Sequence, residues 1–170
     1  MIRALEAITR TVGKGVSWLS VVLVFIIVVD VFLRYFFSIT SALSFELEWH
    51  VFAAMFMLSA AWALQEDGHV RVDLFYQNFG PKGKAIVNLA GTVLFLLPFC
   101  WVAGYESLSF VSSSFAMGET SPDPGGLPAR FIIKSIIPIS LLLLALQGLV
   151  LATRSFITLT ESSSHATKTP

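Results

Sequence analysis

The chain has 170 residues, 55% of them apolar and only 13% charged, with a mean hydropathy of +0.78 and formal charges that cancel. Soluble domains carry roughly a quarter charged residues, so this composition excludes an ordinary water-soluble domain and defines an integral membrane protein. The zero net charge offers no basic surface for nucleic acid, and one cysteine, Cys100, excludes an internal disulfide and the spaced thiolates of a zinc or redox site. Cys100 lies in an apolar run and reads as a small buried hydrophobe.

The first segment, "MIRALEAITRTVGK", places Ile2, Leu5, Ile8 and Val12 at helical spacing, with Arg3, Arg10 and Lys14 mostly elsewhere on the wheel. That pattern predicts a short amphipathic helix on the membrane surface over residues 1–15. The first membrane span follows at 16–37. Its apolar run is longer than a signal-peptide core and no small-residue cleavage pattern follows, so it is expected to be retained. Further runs of the length needed to cross the hydrocarbon core, about 20 residues, occupy 45–65, about 85–111 and about 127–152. Backbone groups in lipid must be satisfied internally. The predicted fold is therefore all-α, a bundle of four transmembrane helices with a polar tail over 153–170.

Lys and Arg concentrate on the cytoplasmic side of short loops. Arg3, Arg10, Lys14, Arg71, Lys82, Lys84, Arg154 and Lys168 share one side; Arg34, Arg130 and Lys134 share the other. Both termini are thus expected in the cytoplasm, and the uncharged turn at 38–44 outside.

Charges inside membrane spans are costly and call for partners. With the first turn centred near Ser41, Arg34 and Glu48 lie at equal distances from it and should be level. Glu46 lies about half a turn nearer the turn, and Asp30 sits one turn from Arg34 on the same helix face. Asp30, Arg34 and Glu48 are expected to cluster. The second outer loop is centred near Glu119 and Thr120, so Glu106 and Lys134 are expected to pair in the same way. The alternatives are charges that snorkel to the interface and charges that relay ions. The relay reading needs ionisable groups near the midplane, where these spans are nearly all Leu, Val, Ile, Phe and Ala.

Pro98 and Pro138 are expected to bend the third and fourth spans. Small residues of the second span (Ala53, Ala54, Ser59, Ala60, Ala61) suit close helix packing. In the loop "QEDGHVRVDLFYQNFGPKGK", Asp73 is a candidate N-cap, and Gly80-Pro81 breaks the chain before the third span. The loop "FAMGETSPDPGGLPAR" has the proline and glycine content of a shaped turn, either a docking surface or a tight cap between helices. Of the histidines, only His50 lies in a span, whereas a haem-bearing bundle needs facing axial ligands. No nucleophile–base set or phosphate loop is recognisable, so catalytic, cofactor-binding and metal residues are not expected. A membrane anchor of an oxidoreductase carrying haem or quinone, and a self-sufficient small carrier, remain alternative readings of these residues.

Five short motifs carry a family resemblance: "FLRYFF" closing the first span, "FELEWHVFAAMF" opening the second, "HVRVDLF" after it, "GLP" in the second outer loop and "IPISLLLLALQG" in the fourth span. In their order and spacing the chain resembles the small membrane subunit of tripartite ATP-independent periplasmic (TRAP) transporters, and the loop "GETSPDPGGLPARFIIKSIIP" looks like the branch labelled for mannitol or chloroaromatic compounds. The resemblance implies a non-catalytic subunit of a secondary transporter in the bacterial inner membrane. Its implied partners are a large elevator-type membrane subunit driven by a sodium gradient and a periplasmic binding protein that delivers a small, commonly carboxylate-bearing solute. It also implies family positions at Arg34 and Glu48; at His69, Arg71 and Asp73; at Gly126, Leu127 and Pro128; and at Lys134, Pro138, Gln147 and Gly148.

Overall fold

The structure, a computed structural model, describes residues 2–66 and 79–166, the side chains as far as Glu161. His69, Arg71 and Asp73 lie outside the described residues. Helix α1 spans Ile2–Phe37, α2 Ala42–Gln65, α3 Pro81–Gly91, α4 Leu97–Ala116 and α5 Phe131–Ala166; a π-helical segment, Thr92–Leu96, joins α3 to α4 without a break. Among the described residues there is no strand. Four stretches are long and apolar enough to cross a membrane: α1, α2, the continuous Pro81–Ala116 and Phe131–Glu161.

The N-terminal segment departs from the expected separate surface helix. α1 is helical without interruption over 36 residues, about 54 Å at 1.5 Å per residue, longer than a hydrocarbon core of about 30 Å. Its buried positions are Glu6, Thr9, Gly13 and Val16. Half-buried Leu19, Leu23, Ile26, Asp30 and Leu33 prolong the same stripe at three- and four-residue spacing, the seam one helix presents to a neighbour. Ile8, placed by its hydropathy on the apolar face, is 50% exposed. Polar Glu6 and Thr9 are inside instead because they find partners on α5.

Helix α5 is the hub. α1 packs on α2, α2 on α5, and α3, the π segment and α4 all on α5. The apolar core gathers Leu64 of α2, Cys100 of α4 and Leu141 and Leu144 of α5. Small buried Ser107 and Ser114 extend the α4 side of this contact and permit close approach. The Ser107 and Ser140 hydroxyls donate to carbonyls of their own helices, Gly104 at 2.7 Å and Ile137 at 2.8 Å. Those two hydroxyls are thereby satisfied in an apolar surround.

Pro98 produces a π segment. Proline has no N–H for the carbonyl four residues back, and its ring crowds that carbonyl. The chain widens by one residue just before it, and the Leu97 N–H donates to the Thr92 carbonyl, the device by which helices absorb such an insertion. Gly148 of α5 faces this segment; a Cβ there would stand 2.8 Å from Leu96 Cδ2. The fourth span begins at Phe131, not at 127, because the backbone of residues 127–130 is committed elsewhere.

Candidate functional site

The loop between α4 and α5 folds back onto the first turns of α2, and Glu46 holds it there. The Glu46 side chain is 2% exposed. Its Oε1 accepts from Ser121 Oγ at 2.5 Å and from Arg130 Nη2 at 2.7 Å, and its Oε2 accepts from the Leu127 N–H at 2.6 Å. One carboxylate therefore accepts from a hydroxyl, a backbone amide and one guanidinium nitrogen, the set of charge-assisted bonds that makes a buried anion tolerable. The guanidinium of Arg130 also lies 5.8 Å from the centre of the Trp49 ring, within cation–π range.

The loop is shaped for this contact. The Ser121 N–H donates to the Leu127 carbonyl at 3.1 Å, closing it into a ring, and the Asp123 N–H donates to Ser121 Oγ at 3.0 Å. Gly126 brings the backbone close: a Cβ there would stand 2.3 Å from Ser121 Oγ and 2.8 Å from Glu46 Oε2. This is the physical content of Gly-Leu-Pro at 126–128. Gly126 leaves room, Leu127 supplies the amide, and Pro128 precedes Ala129, whose φ of 58° turns the chain into α5. The loop is thus shaped, as its composition suggested, and it clasps α2.

A second tie lies alongside. Lys134 Nζ pairs with Glu119 and sits 3.9 Å from the centre of the Phe110 ring. The Glu119 carbonyl accepts from the Arg130 N–H at 3.0 Å, so the two ties share a backbone link. The Lys134 ammonium holds the Glu119 carboxyl below the usual carboxylate range. A carboxyl with a depressed folded pKa contributes stability that is complete above its unfolded value and lost as pH falls through the folded one. Loop anchoring should therefore be constant from neutral pH to about pH 5 and decline below about pH 4. Protease sensitivity of the loop, measured across that range, should rise only on the acid side.

The expected charge clusters are rearranged. Arg34 meets Asp30 at 3.1 Å within α1; among the described residues Glu48 joins no ion pair with it. Lys134 takes Glu119 where Glu106 was expected, and Glu106 stands exposed on α4. Counting outward from a turn pairs helices adjacent in sequence, whereas the main contact joins α2 to the start of α5, 84 positions apart. His50 Nδ1 donates to the Glu46 carbonyl at 2.6 Å, helping to fix the first turns of α2. Among the described residues no three His, Cys, Asp or Glu side chains gather as a metal site would require.

The opposite end of the bundle has a polar tie that sequence reasoning missed. Glu6 of α1 pairs with Arg154 of α5, and Thr9 Oγ1 donates to Gln147 Oε1 at 3.1 Å. Polar residues at positions 6 and 9, at helical spacing on α1, were the available signal.

Four membrane-crossing stretches, apolar through their middles and tied by polar contacts at both ends, define a multi-pass membrane protein whose polar residues fasten helices and a loop. The chain belongs to the DctQ component family of the tripartite ATP-independent periplasmic transporters, whose family profile matches residues 23–158. No curated protein and no solved structure matches it significantly. It is thus the small component of a TRAP transporter, and the matched residues include all of the Glu46 clasp.

Proposed function

We propose that this chain is the non-catalytic scaffold subunit of its transporter, in the bacterial inner membrane with both termini cytoplasmic. It flanks the large permease subunit and widens that subunit's static part, while the large subunit carries a small carboxylate-bearing solute by an elevator motion coupled to sodium. A periplasmic binding protein delivers the solute. The family match across all four spans carries this reading, and the resemblance of the clasped loop to the mannitol or chloroaromatic branch is the available pointer to the solute class.

The physical features fit a stationary element. An elevator needs a part that stays still, and here the polar contacts fasten the helix ends while the span centres are apolar. Wide apolar faces remain for lipid or a partner: Phe25, Phe32 and Tyr35 on α1 are 68%, 50% and 80% exposed. The excess of Lys and Arg beside the termini supports the orientation, which sets the clasped loop in the periplasm as a stiff surface for the binding protein. Glu48 and Glu106, without ion pairs among the described residues, are on this reading contacts for cationic side chains of the large subunit, with Asp30–Arg34 at the rim.

Reconstitution tests the proposal. This chain alone in liposomes should give no solute flux, and sodium-dependent flux should require the large subunit and the binding protein together. Flux through this chain alone, or unchanged flux when it is omitted, would overturn it.

A further inference from the structure

One face of α1 is exposed along the whole helix and changes chemistry on the way. Arg10, Lys14, Trp18, Val21, Phe25 and Val28 follow one another at three or four residues, the spacing that keeps side chains on one side of a helix. Arg3 stands two turns before Arg10 on the same side, and Phe32 and Tyr35 continue the row to the far end. All of these residues are exposed. The side of α1 turned to its neighbours near the N-terminus is a different one, with Glu6, Thr9, Gly13 and Val16.

The cations at the base of this row are not neutralised. Glu6 is the one acidic residue among the first 29; it is buried on the other side and pairs with Arg154. Among the described residues Arg3, Arg10 and Lys14 join no ion pair. Their depth is fixed by their neighbours. Thr9, next to Arg10, donates to Gln147, which lies 16 residues beyond Phe131 on α5, about 24 Å at 1.5 Å per residue. Gly13, next to Lys14, abuts Trp62, three residues from the end of α2 at Gln65. Both levels are where a span nears the edge of a hydrocarbon core of about 30 Å, so Arg10 and Lys14 stand at headgroup depth and the apolar row begins directly after them.

We propose that this face of α1 is a lipid-facing edge that collects anionic phospholipid, with Arg3, Arg10 and Lys14 toward the phosphodiesters and the row from Trp18 onward against the acyl chains. Unneutralised Lys and Arg beside a span attract anionic headgroups, and Trp is a residue of the membrane interface. The apolar part selects lipid over an acidic segment in water. It also selects lipid over a packed helix. Seams between membrane helices use small residues, but beyond Lys14 this row holds only Trp, Val, Phe and Tyr, and Gly13 is taken up by α2. The large subunit then docks on another face of the bundle.

The test uses the full chain in phosphatidylcholine vesicles, with brominated phosphatidylcholine or brominated phosphatidylglycerol added; bromine on an acyl chain quenches tryptophan on contact. Subtracting a Trp18→Phe variant isolates Trp18 from the other tryptophans. A basic residue near an anionic surface is worth about fivefold in binding, so phosphatidylglycerol should be favoured several-fold at Trp18, and less so at high salt. Arg3→Gln, Arg10→Gln and Lys14→Gln together should bring the two lipids to parity with helicity unchanged, since none of the three has an ion-pair partner to lose among the described residues. Lys82→Gln, exposed at the same end of the bundle but on α3, should leave the preference intact. Equal quenching by both lipids in the wild type, a preference that survives the triple change, or one lost equally in Lys82→Gln would overturn the proposal. So would shielding of Trp18 from brominated lipid when the large subunit is bound, which would assign this face to a protein. The vesicle measurements need only this chain, so their failure leaves the transporter reading untouched.

Discussion

Replacing Glu46 with alanine should release the α4–α5 loop from α2. Three donors lose one acceptor together: the Ser121 hydroxyl, the Leu127 amide and the Arg130 guanidinium. Arg130 is then a largely buried cation without its anion, and orphaning a buried charge is far costlier than the net worth of the pair. The melting temperature in detergent should fall by roughly 10 °C, and tryptic cleavage after Arg130 should rise because the loop is free. Glu46→Gln keeps the size and part of the acceptor capacity but turns an amide toward the guanidinium, so an intermediate loss is expected. A Glu46→Gln, Arg130→Met double variant should lose less than the sum of its single changes, the mark of a direct coupling. Melting and cleavage unchanged in Glu46→Ala would show that the clasp does not hold the loop.

Two glycines in one turn of α1 should respond in opposite ways. A Cβ at Gly13 would stand 2.5 Å from Trp62 Cγ and 2.6 Å from its Cβ, whereas one at Gly15 meets nothing within 4 Å. The Trp62 atoms concerned are at the root of its side chain, so no distal rotation relieves the clash, and α1 must move off α2. Overpacking of this kind costs about 1–3 kcal/mol, against a gain of about 0.5–1 kcal/mol when alanine replaces glycine in a helix. Gly13→Ala should therefore lower the melting temperature and alter Trp62 fluorescence. Gly15→Ala should hold it or raise it. Equal behaviour of the two would mean that α1 and α2 do not approach closely there.

The membrane class, the four spans and the family were legible in the residues because they are local properties. Twenty apolar residues in a row admit one backbone solution in lipid, wherever the neighbours are. The exposed apolar face of α1 and the buried Cys100 follow from the same rule. Glu46 was legible as a candidate, and so was the shaped character of the loop at 115–130, from its prolines and glycines.

The pairing of the charges was another matter. Arg34 found Asp30 within its own helix, Lys134 found Glu119 in the adjoining loop, and Glu46 found Arg130 across the bundle. An ion pair forms where two side chains reach each other, and reach depends on which helices touch. Equal distance from a turn establishes equal depth along two helices but not which faces meet. The Glu6–Arg154 and Thr9–Gln147 contacts were hidden for the same reason, since they join the ends of the chain.

By itself, then, the sequence determined that this protein lives in a membrane as four helices and to which family it belongs. Both follow from composition and motifs along the chain. Only the tertiary structure decided that α5 is the hub, that α1 is one long helix fastened to it by Glu6 and Thr9, and that Glu46 anchors the loop. Those outcomes depend on contacts between segments up to 148 positions apart, whose free energy exists only once the helices have packed.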